Sequence, residues 1–259
     1  MSIKQSFCVT CFRSPDISLA DLCREAKAIG YAATETWSPG ADFGEFVDAA
    51  HSAGLVVASF TGHDSIDHGL NDESQHERIE HELRASIDLA VANRVPSIIC
   101  FAGSRHPSRT DLEGLVTWAK GVRRIAPYAE EKGITLNLEV LNSRVDQPGY
   151  QGDRVDWCLA AVEMVNSPRV KVLFDIYHVE IMEGDVIRRL RQAMPHIGHI
   201  HTAGNPGRRD LDDGEMSYPA IARAISDTGY RGYVGHEFFS SSPDKLTALH
   251  HAFEACDVV

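Results

Sequence analysis

The chain repeats one alternation eight times, a short apolar run rich in β-branched and aromatic residues followed by a longer stretch with helical periodicity. The strand-like runs are 6–12, 31–37, 55–62, 97–103, 135–142, 170–178, 197–204 and 233–239. Helix-like stretches lie near 18–30, 42–53, 74–94, 110–132, 153–166, 183–193, 217–228 and 243–256. Such alternation implies parallel strands joined by right-handed crossovers. Ser18, Ser74, Asp153 and Ser217 stand where N-caps belong. Glycine closes several helical stretches just before the next strand, as in AIGY, SAGL, EKGI and DTGY.

Eight such units without a linker or low-complexity segment predict one (β/α)8 barrel, a TIM barrel of the α/β class, spanning residues 1–259 as a single domain. The length of 259 residues matches the roughly 250 typical of that fold. A doubly wound sheet is the rival, but it usually carries a glycine-rich phosphate turn after its first strand. Here that strand runs into FRSPD, and no GxGxxG occurs to bind a dinucleotide.

A formal net charge of −12 disfavours a nucleic-acid partner. The N-terminus lacks the apolar core of a signal peptide, and no apolar run reaches the roughly 18 residues of a membrane span. A cytoplasmic protein with no membrane partner is expected. Cys8 and Cys11 form a CxxC, but on a strand residues i and i+3 face opposite sides, so the pair is not expected to chelate or to bridge. Free, mostly buried thiols are expected.

Barrel enzymes work at the C-terminal ends of their strands, and the unusual polar residues collect there. They are Glu35 and Trp37 (second strand), His63 (third), Arg105 and His106 (fourth), Glu139 and Asn142 (fifth), Asp175 and His178 (sixth), His201 (seventh), and His236 with Glu237 (eighth). In a ring of neighbouring strands, Glu139, Asp175, His201 and Glu237 converge on one point. Three carboxylates and one imidazole suit Mn²⁺, Mg²⁺ or Co²⁺ better than a thiolate site does, and Zn²⁺ is compatible. Alone, any one of them reads as a salt-bridge partner or a satisfied core residue; four on consecutive strands read as a divalent-metal site. His199 shares a strand face with His201 but lies deeper, as a packing or supporting residue. His178 is placed to reach a substrate oxygen, His236 is structural, and Trp37, His63 and Asn142 are expected around the substrate.

A divalent ion there can polarise a carbonyl and its adjacent hydroxyl. One glutamate then removes the proton α to the carbonyl, giving an enediolate, and the other returns it. Glu139 and Glu237 are the expected catalytic pair. A Schiff-base mechanism is disfavoured, because the strand-associated lysine, Lys171, starts its strand on the wrong face.

The segments LNLEVLNSR, VLFDIYHVEIMEGD, HIHTAGNPGR and GYVGHEF resemble the hydroxypyruvate isomerase branch of the xylose isomerase-like TIM-barrel superfamily. The resemblance implies a metal-dependent isomerase of a small hydroxy-keto acid or ketose, with Glu139, Asp175, His201 and Glu237 holding the metal. It also implies that His178 and Arg208 orient the substrate; an arginine there suits a carboxylate. Hydroxypyruvate isomerases often carry glutamine where His201 stands, and the family's D-x-x-H-x-Q here ends in Glu180. A ketose 3-epimerase or inosose isomerase is therefore the alternative. Related barrels often form homo-oligomers. A multi-zinc apurinic-site endonuclease would use His63, His178 and His201 with further ligands, but Phe101-Ala102-Gly103 and Asp210-Leu211-Asp212 stand at two of those places. A non-catalytic sugar-binding barrel is the remaining reading.

Overall fold

Each apolar run forms a strand that is buried on both faces, as parallel strands require. The computed structural model describes residues 3–258. Its strands are β1 (Lys4–Phe7), β2 (Ala33–Thr34), β3 (Val56–Val57), β4 (Ser97–Cys100), β5 (Thr135–Glu139), β6 (Val170–Asp175), β7 (Ile197–Thr202) and β8 (Tyr233–His236). Six pair in the order β1-β8-β7-β6-β5-β4, and β2 pairs with β3. Two parallel bridges close the seams, Cys8 opposite Glu35 and Thr61 opposite Ile99. The bonds Glu35 N to Phe7 O (2.9 Å) and Gly62 N to Ile99 O (2.8 Å) run along them. The strands therefore form a ring in chain order, the expected (β/α)8 barrel.

The helices are α1 (Val9–Phe12), α2 (Leu19–Ile29), α3 (Phe43–Ser52), α4 (His76–Ala92), α5 (Asp111–Lys132), α6 (Val155–Val165), α7 (Ile176–Met182), α8 (Val186–Ala193), α9 (Tyr218–Asp227) and α10 (Lys245–Cys256). Their apolar faces and the outer strand faces form one contiguous apolar cluster running from Phe7 to Cys256. Phe12 packs edge-on against Phe7 (6.0 Å) and Phe238 (5.1 Å), contacts worth about 0.5–1.5 kcal/mol each beyond buried area. No helix among the described residues is long and apolar enough to cross a membrane.

Several local expectations change. The first run is not one strand: it ends at Phe7, and Val9–Phe12 coils into a helical turn closed by Cys11 N to Cys8 O (3.0 Å). The strand argument for separating Cys8 from Cys11 therefore fails, since both lie on one turn, yet all six thiols are free and buried. Ser18 caps α2 through Asp21 N. Ser74 is not a cap: α4 has no side-chain cap bond, and Asp72, two residues before Ser74, accepts from Ser74 N to start the short 3-10 turn Glu73–Gln75. Asp153 precedes the cap position of α6 and pairs with Arg105 instead, and Ser217 makes no side-chain cap bond. The sixth run stops at Asp175, whose Oδ1 accepts from His178 N (3.1 Å) and starts α7. His178 thus sits on a helix rather than on a strand.

Candidate active site

The barrel register sets the site. Asp175, the last residue of β6, lies opposite His201 of β7; Glu139 ends β5, and Glu237 directly follows β8. Potential ligand atoms of Glu139, Asp175, His201 and Glu237 all lie within 4.8 Å of one another. His201 Nδ1 is 3.1 Å from Glu237 Oε2, 3.4 Å from Glu139 Oε1 and 3.9 Å from Asp175 Oδ2. All four side chains are buried. His201 Nδ1 has no hydrogen-bond partner among the described residues, although three carboxylates face it. A buried nitrogen lone pair among three carboxylates is the donor set of a hard divalent cation, so these residues fit one.

The carboxylates are electrostatically unlike. Burial pushes Asp175 up to about 7 against the pull of Arg208 and His201. Burial also raises Glu139, with Glu237 adding to the effect and His201 opposing it. At Glu237 burial acts in the same sense, but Arg208 and His201 outweigh it and hold the carboxyl well below the usual range. Arg208 Nη2 donates to Glu237 Oε2 (2.5 Å), and the Trp37 indole N–H donates to Glu237 Oε1. Environments that push two carboxyls apart distinguish acid from base.

His178 is held in one tautomer. Its Nδ1 accepts from Asn142 N (3.1 Å) and faces Asn142 Nδ2 at 2.6 Å. The ring proton therefore belongs on Nε2, an assignment made from the bonding network. Nε2 is buried without a hydrogen-bond partner among the described residues, 3.7 Å from Asp175 Oδ2, and His178 lines the cavity. Burial, aided by the Arg208 charge, holds this imidazole well below its usual value, so it offers a neutral N–H donor.

The cavity above the cluster has a volume of about 910 Å³ and is lined by Trp37, His63, Phe101, Leu141, His178, Arg208 and their neighbours, with Glu139 and Glu237 on its wall. Trp37 stands at the rim, edge-on to Phe239 at 5.9 Å. Arg208 is mostly buried over the Tyr177 ring, and its Nε has no partner among the described residues.

Two residues expected around the substrate make their hydrogen bonds within the protein. His63 lines the cavity, but its Nδ1 meets Asp64 O (3.1 Å) and its Nε2 accepts from Phe101 N (2.9 Å). Neither nitrogen is left for a ligand. Asn142 is absent from the cavity wall; its Oδ1 accepts from Val145 N and Asp146 N (both 2.9 Å), closing the turn behind His178. Arg105 pairs with Asp153 and Asp111. His236 bonds Thr202 Oγ1 (2.7 Å) and Gln5 Oε1 (2.8 Å) inside the barrel. The cluster detected around the cation position includes neither His63 nor His178.

Sequence reasoning gave no role to Glu35. Its Oε2 lies 2.7 Å from His199 Nε2 and its Oε1 3.6 Å from His201 Nε2. Burial opposes ionisation, yet His199 and His201 together draw this carboxyl down to about 2. The available signal was a glutamate at a strand end, in a run that otherwise reads as core.

The profile of the xylose isomerase-like TIM barrel family matches residues 23–255. A 2-oxo-tetronate isomerase of Cupriavidus necator is 38% identical over 122 residues, 47% of this chain and 46% of that protein. The chain thus spans about half the length of that relative. A zebrafish (Danio rerio) protein named putative hydroxypyruvate isomerase is 28% identical over 83% of this chain and 82% of its own. Among solved structures, one titled AP endonuclease, family 2, from Brucella melitensis superposes with a TM-score of 0.82 at 22% identity, covering 96% of this chain and 97% of the other. At that identity the likeness speaks for the fold alone.

Proposed function

The chain belongs to the xylose isomerase-like TIM barrel family, and from that premise we propose that it is an isomerase of a small hydroxy-keto acid or ketose that uses a divalent metal, Mn²⁺ or Mg²⁺. The observation that carries this reading is the convergence of Glu139 and Glu237 with Asp175 and His201 in one buried cluster beneath an open cavity. A bound divalent ion would polarise the substrate carbonyl and its neighbouring hydroxyl.

Glu237, held ionised beside Arg208, is the base that takes the proton from the carbon next to the carbonyl. Glu139, facing the same point from β5, returns a proton to the former carbonyl carbon, while the hydroxyl proton of the enediol passes to the former carbonyl oxygen. The His178 Nε2–H donates to a substrate oxygen. Arg208 offers its unpartnered Nε to a carboxylate or hydroxyl at the far end. Trp37 orients Glu237 and narrows the rim. The names of the relatives, 2-oxo-tetronate isomerase and putative hydroxypyruvate isomerase, support a hydroxy-keto acid substrate.

A ketose 3-epimerase is the second reading, and the cavity of about 910 Å³ is large enough to admit its substrate. The deciding experiment follows solvent deuterium into hydroxypyruvate, tartronate semialdehyde, C4–C6 ketoses and inososes in Mn²⁺ buffer. Glu139→Gln and Glu237→Gln should each abolish exchange into whichever substrate turns over. Exchange at the wild-type rate in either variant sinks the two-glutamate mechanism.

A further inference from the structure

On the side of His201 away from the three carboxylates lies a second buried cluster that the reaction above does not use. Glu35, just past β2, is 2% exposed, and among the described residues its ion-pair contacts are with the His199 and His201 imidazoles, at 2.7 and 3.6 Å. The two rings meet edge-on at 5.0 Å. A carboxylate this deep costs several kcal/mol unless it is neutralised; the two imidazoles face it as ion-pair contacts, and neither Glu35 oxygen has a hydrogen-bond partner among the described residues.

The opposite barrel wall is shaped around this contact. Gly235 of β8 lies opposite His201 in the strand register. A Cβ at that position would fall 1.8 Å from Glu35 Oε1 and 3.1 Å from His201 Cδ2. The strand therefore omits a side chain where the carboxylate approaches the ring. An imidazole has two nitrogens, and a proton held on one leaves the other as a lone-pair donor. His201 turns Nε2 to Glu35 and Nδ1 to Glu139, Asp175 and Glu237.

We propose that Glu35 is a positioning residue for His201: its carboxylate holds the ring with the proton on Nε2 and the Nδ1 lone pair directed into the four-residue cluster. His199 anchors that carboxylate from the other side. The inference rests on the reading of Glu139, Asp175, His201 and Glu237 as a cation site. Carboxylates that orient a ligating histidine are worth about 10–100-fold in metal affinity.

The test is Mn²⁺ titration of metal-stripped protein, read by the electron paramagnetic resonance of free Mn²⁺. Glu35→Gln keeps the shape and should weaken Mn²⁺ binding by about 10–100-fold while retaining one site. Gly235→Ala leaves Glu35 present but displaces its carboxylate, and should weaken binding in the same direction. In the Zn²⁺-loaded protein, ¹⁵N NMR should show a protected His201 Nε2–H that shifts or broadens in Glu35→Gln. Wild-type Mn²⁺ affinity in folded Glu35→Gln, or an unchanged His201 signal, overturns the proposal. His201→Ala separates the two layers: if it binds Mn²⁺ like wild type, the cation-site reading itself fails. If it loses binding while Glu35→Gln does not, only the positioning role is refuted.

Discussion

Replacing Arg105 with methionine should destabilise the protein by about 2–3 kcal/mol without touching the cluster. Asp153 is 3% exposed, and its carboxylate receives Arg105 Nη2 at 2.8 Å and Nη1 at 3.0 Å, with the Ser143 hydroxyl as its other partner. Arg105 Nη1 also donates to Tyr150 O at 2.6 Å. The methionine leaves the carboxylate with Ser143 alone and the carbonyl bare. Breaking a buried ion pair costs about 3–5 kcal/mol. The Arg105 side chain is 36% exposed, so water recovers part of that loss, giving the lower figure. For a chain this long, each kcal/mol moves Tm by about 2–4 °C, so a drop of about 4–12 °C is expected. Urea unfolding followed by circular dichroism measures the difference directly. Arg105→Met with Asp153→Ala removes both partners and should cost at least about 1 kcal/mol less than the sum of the single variants. A single-variant loss below about 0.5 kcal/mol, or strict additivity, refutes the reasoning.

Acidification should weaken the fold through two buried imidazoles. Burial pushes His63 down to about 4 and His236 to about 3, whereas an unfolded histidine titrates near ~6.5. The unfolded chain therefore binds protons first, and stability that is complete at pH 7 is lost as pH falls from about 6.5 toward 4, by up to about 1.4 kcal/mol per pH unit for each histidine. The urea midpoint across pH 4.5–7 measures it, and His63→Gln should flatten the slope by about one proton; an unchanged slope counts against the assignment. Chelation should abolish turnover, and Mn²⁺ at about 100 times its Kd should restore it and raise stability by about 2.7 kcal/mol. A melting temperature indifferent to Mn²⁺ would rule out cation binding by the native state.

The barrel was legible because parallel strands covered on both faces need unbroken apolar runs, and VKVLFD or TLNLE leaves little else to read. The grouping of Glu139, Asp175, His201 and Glu237 was legible for a related reason, since neighbouring parallel strands bring their last residues to one rim. What stayed hidden depends on partners distant in sequence. Glu35 meets His199 and His201 across the barrel, and neither local pattern marks the other. His63 looked free for a ligand until the Phe101 amide arrived from the next strand. Asn142 looked like a substrate contact, but its side chain is consumed by its own turn and by His178. In VTCF, β-branched and aromatic character argued for continued strand, yet the chain coils at the rim, where Phe12 can reach Phe7 and Phe238. Tertiary packing overrode local propensity there.

Asp175 carries two obligations on one side chain. Oδ1 starts α7 by accepting from His178 N, while Oδ2 faces the His201 ring. The helix that presents His178 is therefore hinged on the carboxylate that would ligate the ion. Any change at this position shifts the candidate ligand cluster and the cavity-lining imidazole together, so neither can be retuned alone. Asparagine is also a competent helix cap and lacks the charge, which makes it the neighbour in sequence space where the scaffold persists after the chemistry has gone. A lineage of this barrel that abandoned catalysis would have an open route through that one residue, keeping its shape while losing the proposed cation site.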